Sequence, residues 1–247
     1  MNTAILILLG LNLTLTGYLA YKLTKLHIVA IKLKKETLNN SWTYRQIQAY
    51  TDLVRLVDTK WPLPQLRGWA ASPDFLKIIA THVLKNKPQL IVECGSGAST
   101  IVLARCCQKS GTGKIISLDH DEKYAEKTRK DIEQQGLTEF VTVLYAPPKH
   151  YSEINNQPWY SLDDKSLFKQ GIDMLVVDGP PASLAPMARY PALPLLKAYL
   201  TPHAYIFMDD AVRKQEKAII NRWQEEFPSL QSKGLIAEKG CVMLQQG

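Results

Sequence analysis

The chain has 247 residues, 46% of them hydrophobic and 21% charged, which allows one large domain or one domain plus an appendage and argues against general disorder. Its net charge of +7 is local: residues 1–35 hold Lys22, Lys25, Lys32, Lys34 and Lys35 and no acidic residue, leaving 25 of the 30 basic residues against all 23 acidic ones in the rest. That balance argues against a nucleic-acid-binding surface. The four cysteines, Cys94, Cys106, Cys107 and Cys241, form no C-x-x-C pair and read as buried thiols, not as a zinc site or a secreted disulfide framework.

From Ala4 to Tyr21 the run AILILLGLNLTLTGYLAY holds no charge over 18 residues. A transmembrane helix needs about 17–25 apolar residues, so the run lies near the lower limit. Asn12, Thr14 and Thr16 reduce its hydrophobicity but can hydrogen-bond within a helix, and Tyr18 and Tyr21 stand where aromatic belts form. The run has neither the basic start nor the cleavage site of a signal peptide. Lysines after it and none before it put the C-terminal side in the cytoplasm. Leu23, Leu26, Ala30 and Leu33 then keep helical spacing among the lysines, as in a helix resting on anionic lipid. These residues leave open a buried or partner-binding helix that never enters lipid.

Three segments are expected: a membrane anchor with a basic juxtamembrane helix over 1–40, a helical extension over 41–84, and the main domain over 85–247. Within 41–60, Ile47, Tyr50, Leu53, Val54 and Val57 share a helical face, with Ser41 as the candidate cap. Trp61-Pro62-Leu63-Pro64 breaks that helix, and Ser72-Pro73-Asp74 opens another that runs to about Leu84. Strand-like runs at 89–93, 114–118, 141–145, 172–177 and 204–208 then alternate with helical patterns near 99–109, 121–135, 187–199 and 211–226. Two last strands are expected at 234–238 and 240–245. Such alternation implies a parallel sheet with helices on both faces.

In a doubly wound sheet, ligands bind at the carboxyl ends of the strands near the reversal of strand order. Glu93-Cys94-Gly95-Ser96-Gly97-Ala98-Ser99-Thr100 follows the first of these strands. Its two glycines permit a tight turn and close backbone approach. A dinucleotide fingerprint would carry a third glycine where Thr100 stands, and Glu93 is better placed for an ammonium group than for a pyrophosphate. Asp119 closes the second strand, where a carboxylate can accept hydrogen bonds from two ribose hydroxyls, while Asp121 suits a helix cap. Asp178 and the pair Asp209-Asp210 close two later strands, and three such carboxylates could converge on Mg²⁺ or Ca²⁺. The alternative for Asp210 is a cap on a helix starting at Ala211.

Glu93-x-Gly95-x-Gly97, Asp119 and Asp178 at these strand ends resemble the class I S-adenosylmethionine-dependent methyltransferases. The succession ECGSGASTIVLA, SLDHDEKYA, VVDGPP, ARYPALPLL and FMDDA is similar to a group of poorly characterised bacterial members, over roughly residues 41 to 247. The resemblance implies an α/β fold: a Rossmann-like, seven-stranded, doubly wound sheet whose last strand is antiparallel. It implies S-adenosylmethionine as cofactor, with Glu93 near the methionine amino group, Gly95 and Gly97 beneath the cofactor, Asp119 on the ribose, and Ser96, Ser99 and His120 beside it. Asp178, Asp209 and Asp210 are similar in position to the metal ligands of catechol-type O-methyltransferases, which implies Mg²⁺ or another divalent cation. The chain departs from that pattern at Pro181, where those enzymes carry a lysine, and at Asp210, where they usually carry asparagine. Tyr145-Ala146-Pro147-Pro148 also lacks an acidic residue that many relatives direct at adenine.

O-methylation of a small-molecule, glycan or lipid-linked acceptor at the cytoplasmic membrane face is the expected function, with no nucleic-acid partner. Asp178 is the expected base or metal ligand, His120 and His150 are secondary bases, and Trp159, Tyr160 and Arg189 are candidate linings of the acceptor cleft. Two other classes stay open: a nicotinamide-dependent oxidoreductase on the same fold, and a membrane-anchored scaffold that keeps the cofactor fold without turnover.

Overall fold

The computed structural model describes residues 2–58 and 60–246. Met1 and Gly247, the ends of the expected segments, and Thr59, in the helix expected over 41–60, lie outside the described residues. The chain divides into two units, Met1–Arg45 and Gln46–Gly247.

The first unit is carried by one helix, α1 (Thr3–Val57), which continues into the second. Its described side chains up to Arg45 are exposed except for the half-buried Trp42. An 18-residue window within it reaches a mean hydropathy of 1.8, which meets the length and composition of a membrane span. The hydroxyls of Thr14 and Thr16 donate to the carbonyls of Leu11 and Asn12, so these polar residues are satisfied inside the helix. The ammonium groups of Lys22 and Lys25 lie 5.6 and 5.1 Å from the ring centres of Tyr18 and Tyr21. The helix start expected at Ser41 does not occur. Between Gly17 and Val57 there is neither glycine nor proline, and serine or asparagine inside a helix costs only about half a kcal/mol each.

The second unit begins with the last turns of α1, where Gln46, Ala49, Leu53 and Val57 are buried, whereas Ile47 and Tyr50 face solvent. The buried face is turned from the expected one because Gln46 pairs with Asp74 twice. Its Nε2 donates to Asp74 Oδ2 (2.6 Å), and its Oε1 accepts from the Asp74 N–H (3.2 Å). Helix α2 (Pro73–Asn86) starts on Pro73, as expected. Ser72 has a cap's extended backbone, but its hydroxyl donates to Asp74 Oδ1 (2.6 Å), and it is that oxygen which accepts the Phe75 N–H (2.9 Å).

The expected alternation follows: β1 (Leu90–Cys94), α3 (Ala98–Ser110), β2 (Lys114–Asp119), α4 (Glu122–Gln134), β3 (Val141–Tyr145), β6 (Ile172–Val177), β7 (Leu200–Asp209), α6 (Lys214–Glu226), β8 (Leu230–Leu235) and β9 (Cys241–Gln246). Between β3 and β6 lies a hairpin of β4 (Pro148–Tyr151) and β5 (Gln157–Tyr160). The large sheet has the order β3-β2-β1-β6-β7-β9-β8, and only the last strand, β9, runs antiparallel to its neighbours. This is the expected Rossmann-like, seven-stranded topology. Alternate strand residues feed two cores: Val92, Cys94, Leu175, Val177, Ile206 and Met208 on one face, and Ile91, Met174, Val176 and Phe207 on the other. Burial on both faces explains why these strands read as continuous apolar runs.

Three further expectations are corrected, and one element is new. The helix expected over 187–199 shrinks to α5 (Ala192–Leu196) and a 3₁₀ turn at Lys197–Tyr199, because Met187 takes a left-handed φ of 52° and Pro191 and Pro194 bring no N–H. Helix α6 starts at Lys214 and not at 211, since Asp210 is also left-handed (φ 59°) and the chain turns there. The penultimate strand lies at Leu230–Leu235 instead of 234–238, with Gly240 (φ 73°) in the turn before β9. The β4–β5 hairpin was not expected at all.

Candidate functional site

Strands β2 and β3 lie on one side of β1, and β6 and β7 on the other, so strand order reverses between β1 and β6. The connections leaving these two strands part to opposite faces, which opens a crevice at their carboxyl ends. Cys94 closes β1, and its carbonyl accepts the Asp178 N–H (3.1 Å) just beyond β6. Gly95 (φ 102°) abuts the same loop: a Cβ there would sit 3.4 Å from the Gly179 nitrogen. A Cβ on Gly179 would in turn collide with the phenol oxygen of Tyr160, which the β4–β5 hairpin brings to the seam. Glycine is therefore required on both sides of the seam. Gly97 (φ 152°) caps α3 and faces open space.

On the β1–β2 side, Glu93 is fully buried and bridges three elements. Its Oε2 accepts from Thr100 Oγ1 on α3 (2.6 Å) and Ser117 Oγ on β2 (2.7 Å), while Oε1 is buried with no hydrogen-bond partner among the described residues. Burial pushes its carboxyl up to about 7, against the hydrogen bonds that favour the charged form. Asp119 is also buried. Its Oδ2 accepts from the Ser96 N–H (3.2 Å) and hydroxyl, gripping the glycine loop, and its Oδ1 accepts from the Asp121 N–H (3.0 Å). Asp121 is the expected cap, accepting from the N–H groups of Lys123 and Tyr124 at the start of α4. Ser99 is buried in the first turn of α3. His120 is partly exposed, with Nδ1 3.6 Å from Asp119 Oδ1 and its ring 6.3 Å from that of Tyr160.

On the β6–β7 side, Asp178, Asp209 and Asp210 each offer an oxygen within 4.8 Å of the others. Asp178 is 18% exposed, whereas Asp209 and Asp210 are buried. Arg189, read from the sequence as a cleft lining, is instead buried among them. Its Nη2 donates to Asp178 Oδ1 (3.2 Å), the Asp178 carbonyl (2.8 Å) and Asp210 Oδ2 (2.8 Å), and its Nη1 donates to the Asp209 carbonyl (3.0 Å). Arg213 Nη1 adds a second contact to Asp210 Oδ2 at 2.9 Å. Glu216, also buried, lies 3.9 Å from Arg189 Nε. Burial opposes the charge of Arg189, but Asp178, Asp210 and Glu216 outweigh it and raise its pKa. Burial lifts Asp178 to about 6, against the pull of Arg189. Burial and the charges of Asp178 and Asp210 lift Asp209 to about 8.

The three acids thus meet, yet they fit a divalent ion poorly. Two of the oxygens are bonded to a guanidinium that cannot be deprotonated in a protein. The oxygens of Asp209, and Oδ1 of Asp210, lack hydrogen-bond partners among the described residues. Asp210 is not the α6 cap, since that helix starts on Lys214 without a side-chain cap.

Of the other expected residues, Trp159 and Tyr160 are buried on β5 of the hairpin with Nε1 and the hydroxyl unpartnered among the described residues, and burial raises the Tyr160 phenol well above its ordinary value. His150 is exposed on the hairpin, with Nδ1 2.8 Å from the Asn156 carbonyl, and is not brought to the acids described above. The roles of Thr100, Ser117 and Glu216 were not expected; Thr100 stands at the site of the missing third glycine. The four cysteines are buried and free.

Residues 92–211 match a family model described as a methyltransferase domain, and residues 31–147 match one described as protein-L-isoaspartate(D-aspartate) O-methyltransferase. No curated protein matches. A methyltransferase of Podospora anserina bound to S-adenosylhomocysteine has a similar fold, with a TM-score of 0.58 at 14% identity over 86% of this chain and 96% of that one. An O-methyltransferase of Bacillus cereus in complex with S-adenosylhomocysteine matches with a TM-score of 0.55 at 19% identity, over 81% and 91% of the two chains. A putative O-methyltransferase of Klebsiella pneumoniae gives 0.52 at 19% identity, over 82% and 89%. With its glycine loop and strand-end acids in this topology, and a methyltransferase-domain match over 92–211, the chain has the fold of the class I S-adenosylmethionine-dependent methyltransferases.

Proposed function

We propose that this chain is an S-adenosylmethionine-dependent O-methyltransferase, and that it acts on a small-molecule, glycan or lipid-linked acceptor at the cytoplasmic face of a membrane. The carrying observation is the crevice between β1 and β6, lined by an open glycine loop and by acids from both sides. S-adenosylmethionine held there would supply an electrophilic methyl group on a sulfonium. The residues fit its polar groups. Buried Glu93 keeps one oxygen without a hydrogen-bond partner among the described residues, available to an ammonium, Gly97 leaves room for close approach, and Asp119 with Ser96 offers acceptors for ribose hydroxyls. Ser99 and His120 border the same loops.

Methyl transfer is an in-line displacement, so the protein's main task is to orient the acceptor. Asp178 is the proposed base, taking the acceptor's hydroxyl proton onto its carboxylate. A value lifted to about 6 keeps it mostly ionised at neutral pH and more basic than an ordinary aspartate. Residues 4–21 are the proposed membrane span, supported by the apolar window of α1 and the lysines that follow it.

The test is calorimetric titration of the detergent-solubilised full chain with S-adenosylmethionine, S-adenosylhomocysteine and NADH, repeated on Asp119→Ala. The expected result is micromolar binding of both sulfur compounds, weakened about 10- to 100-fold in the variant, and no response to NADH. Binding of NADH alone would favour the oxidoreductase, and cofactor binding without turnover on any acceptor would favour the scaffold.

A further inference from the structure

We propose that Arg189 stands in the place of a divalent cation at the carboxyl ends of β6 and β7, so that this site works without a bound metal. Three carboxylates brought within 4.8 Å of one another need positive charge between them, and either an ion or a side chain can supply it. Here a side chain does so for Asp178 and Asp210, while the Asp209 carboxylate has no hydrogen-bond partner among the described residues. The Arg189 guanidinium is 5% exposed and binds Asp178 Oδ1, Asp210 Oδ2 and the carbonyls of Asp178 and Asp209, so it ties both strand ends together as a shared ion would. Its planar fork suits several oxygens at once, and its charge cannot be lost on burial. Arg213 supplies a second charge to Asp210 from the rim. The local backbone agrees: Met187 is left-handed and the Tyr190 N–H bonds to the Met187 carbonyl (2.9 Å), so residues 187–191 form a turn that carries Arg189 and not a regular helix.

The proposal concerns the same crevice as the methyltransferase reading, but its readout is cation binding, which does not depend on turnover. The full chain in detergent is titrated with Mn²⁺ and followed by the electron paramagnetic resonance of the free ion and by thermal melting. The wild type is expected to leave the signal and the melting midpoint unchanged. Saturable Mn²⁺ binding to the wild type that Asp209→Asn removes would overturn the proposal. Arg189→Met is expected to gain one Mn²⁺ site, and to melt about 5–10 °C higher at a hundredfold excess over its Kd. That site should disappear in Arg189→Met/Asp209→Asn. A folded Arg189→Met that ignores Mn²⁺ would overturn the proposal. Should Arg189→Met fail to fold alone, refolding in Mn²⁺ decides: recovery of the native circular dichroism supports the proposal, and failure overturns it.

Discussion

The two sides of the crevice hold their acids by different means. Next to β1 and β2, Glu93 and Asp119 are met by neutral donors: the hydroxyls of Thr100, Ser117 and Ser96, and the N–H groups of Ser96 and Asp121. Beside β6 and β7, Asp178 and Asp210 are met by guanidiniums. Neutral donors orient a carboxylate and leave its charge uncancelled, whereas a buried guanidinium cancels it. In the proposed function the first side would meet the charged, hydroxyl-bearing cofactor and the second the acceptor.

The largest expected break in this comparison is Asp178→Asn. If Asp178 takes the acceptor's proton, turnover should fall about 10²- to 10⁴-fold while S-adenosylmethionine affinity, read by calorimetry, stays within about twofold. Unchanged turnover would remove Asp178 from the chemistry.

Glu93→Gln tests the other side through pH. The carboxyl rises from 4.5 to about 7 on folding, so the folded chain holds a proton that the unfolded chain releases. The resulting stability is fully present below pH 4.5 and is lost as pH rises through 7, by about 3 kcal/mol in total. Denaturant midpoints measured across that range should therefore fall more steeply in the wild type than in Glu93→Gln; parallel curves would place the proton elsewhere.

The seam between the two sides gives the smallest effect. Gly179→Ala forces a methyl group against the Tyr160 hydroxyl and should destabilise by about 1–3 kcal/mol, lowering the melting midpoint by several degrees. In a Tyr160→Phe background the penalty should shrink, and a strictly additive double mutant would show that the two residues do not touch.

Much of the fold was legible because its signals are local. The strands at Leu90–Cys94, Lys114–Asp119, Val141–Tyr145 and Ile172–Val177 lie within a residue of their apolar runs, and Asp121 caps α4 from its position alone. The hairpin was hidden because Pro148 and Pro158 discourage a strand reading, and its two strands hold only by pairing with each other. Helix α1 looked divided because Ser41 favours a cap, yet the helix runs on through it. The Gln46 pairing with Asp74, 28 residues away, could not be read from periodicity, so the buried face of α1 was misplaced.

The sequence by itself determined which elements form, that glycines stand where β1 turns, and which strands end in carboxylates, because each depends on residues close together in the chain. Only the tertiary structure decided what neutralises those carboxylates. Arg189 lies 11 residues from Asp178 and 21 from Asp210 in sequence, and the turn that carries it contains one left-handed residue, Met187. Charge compensation depends on distance and burial in space, and neither is written in the order of residues.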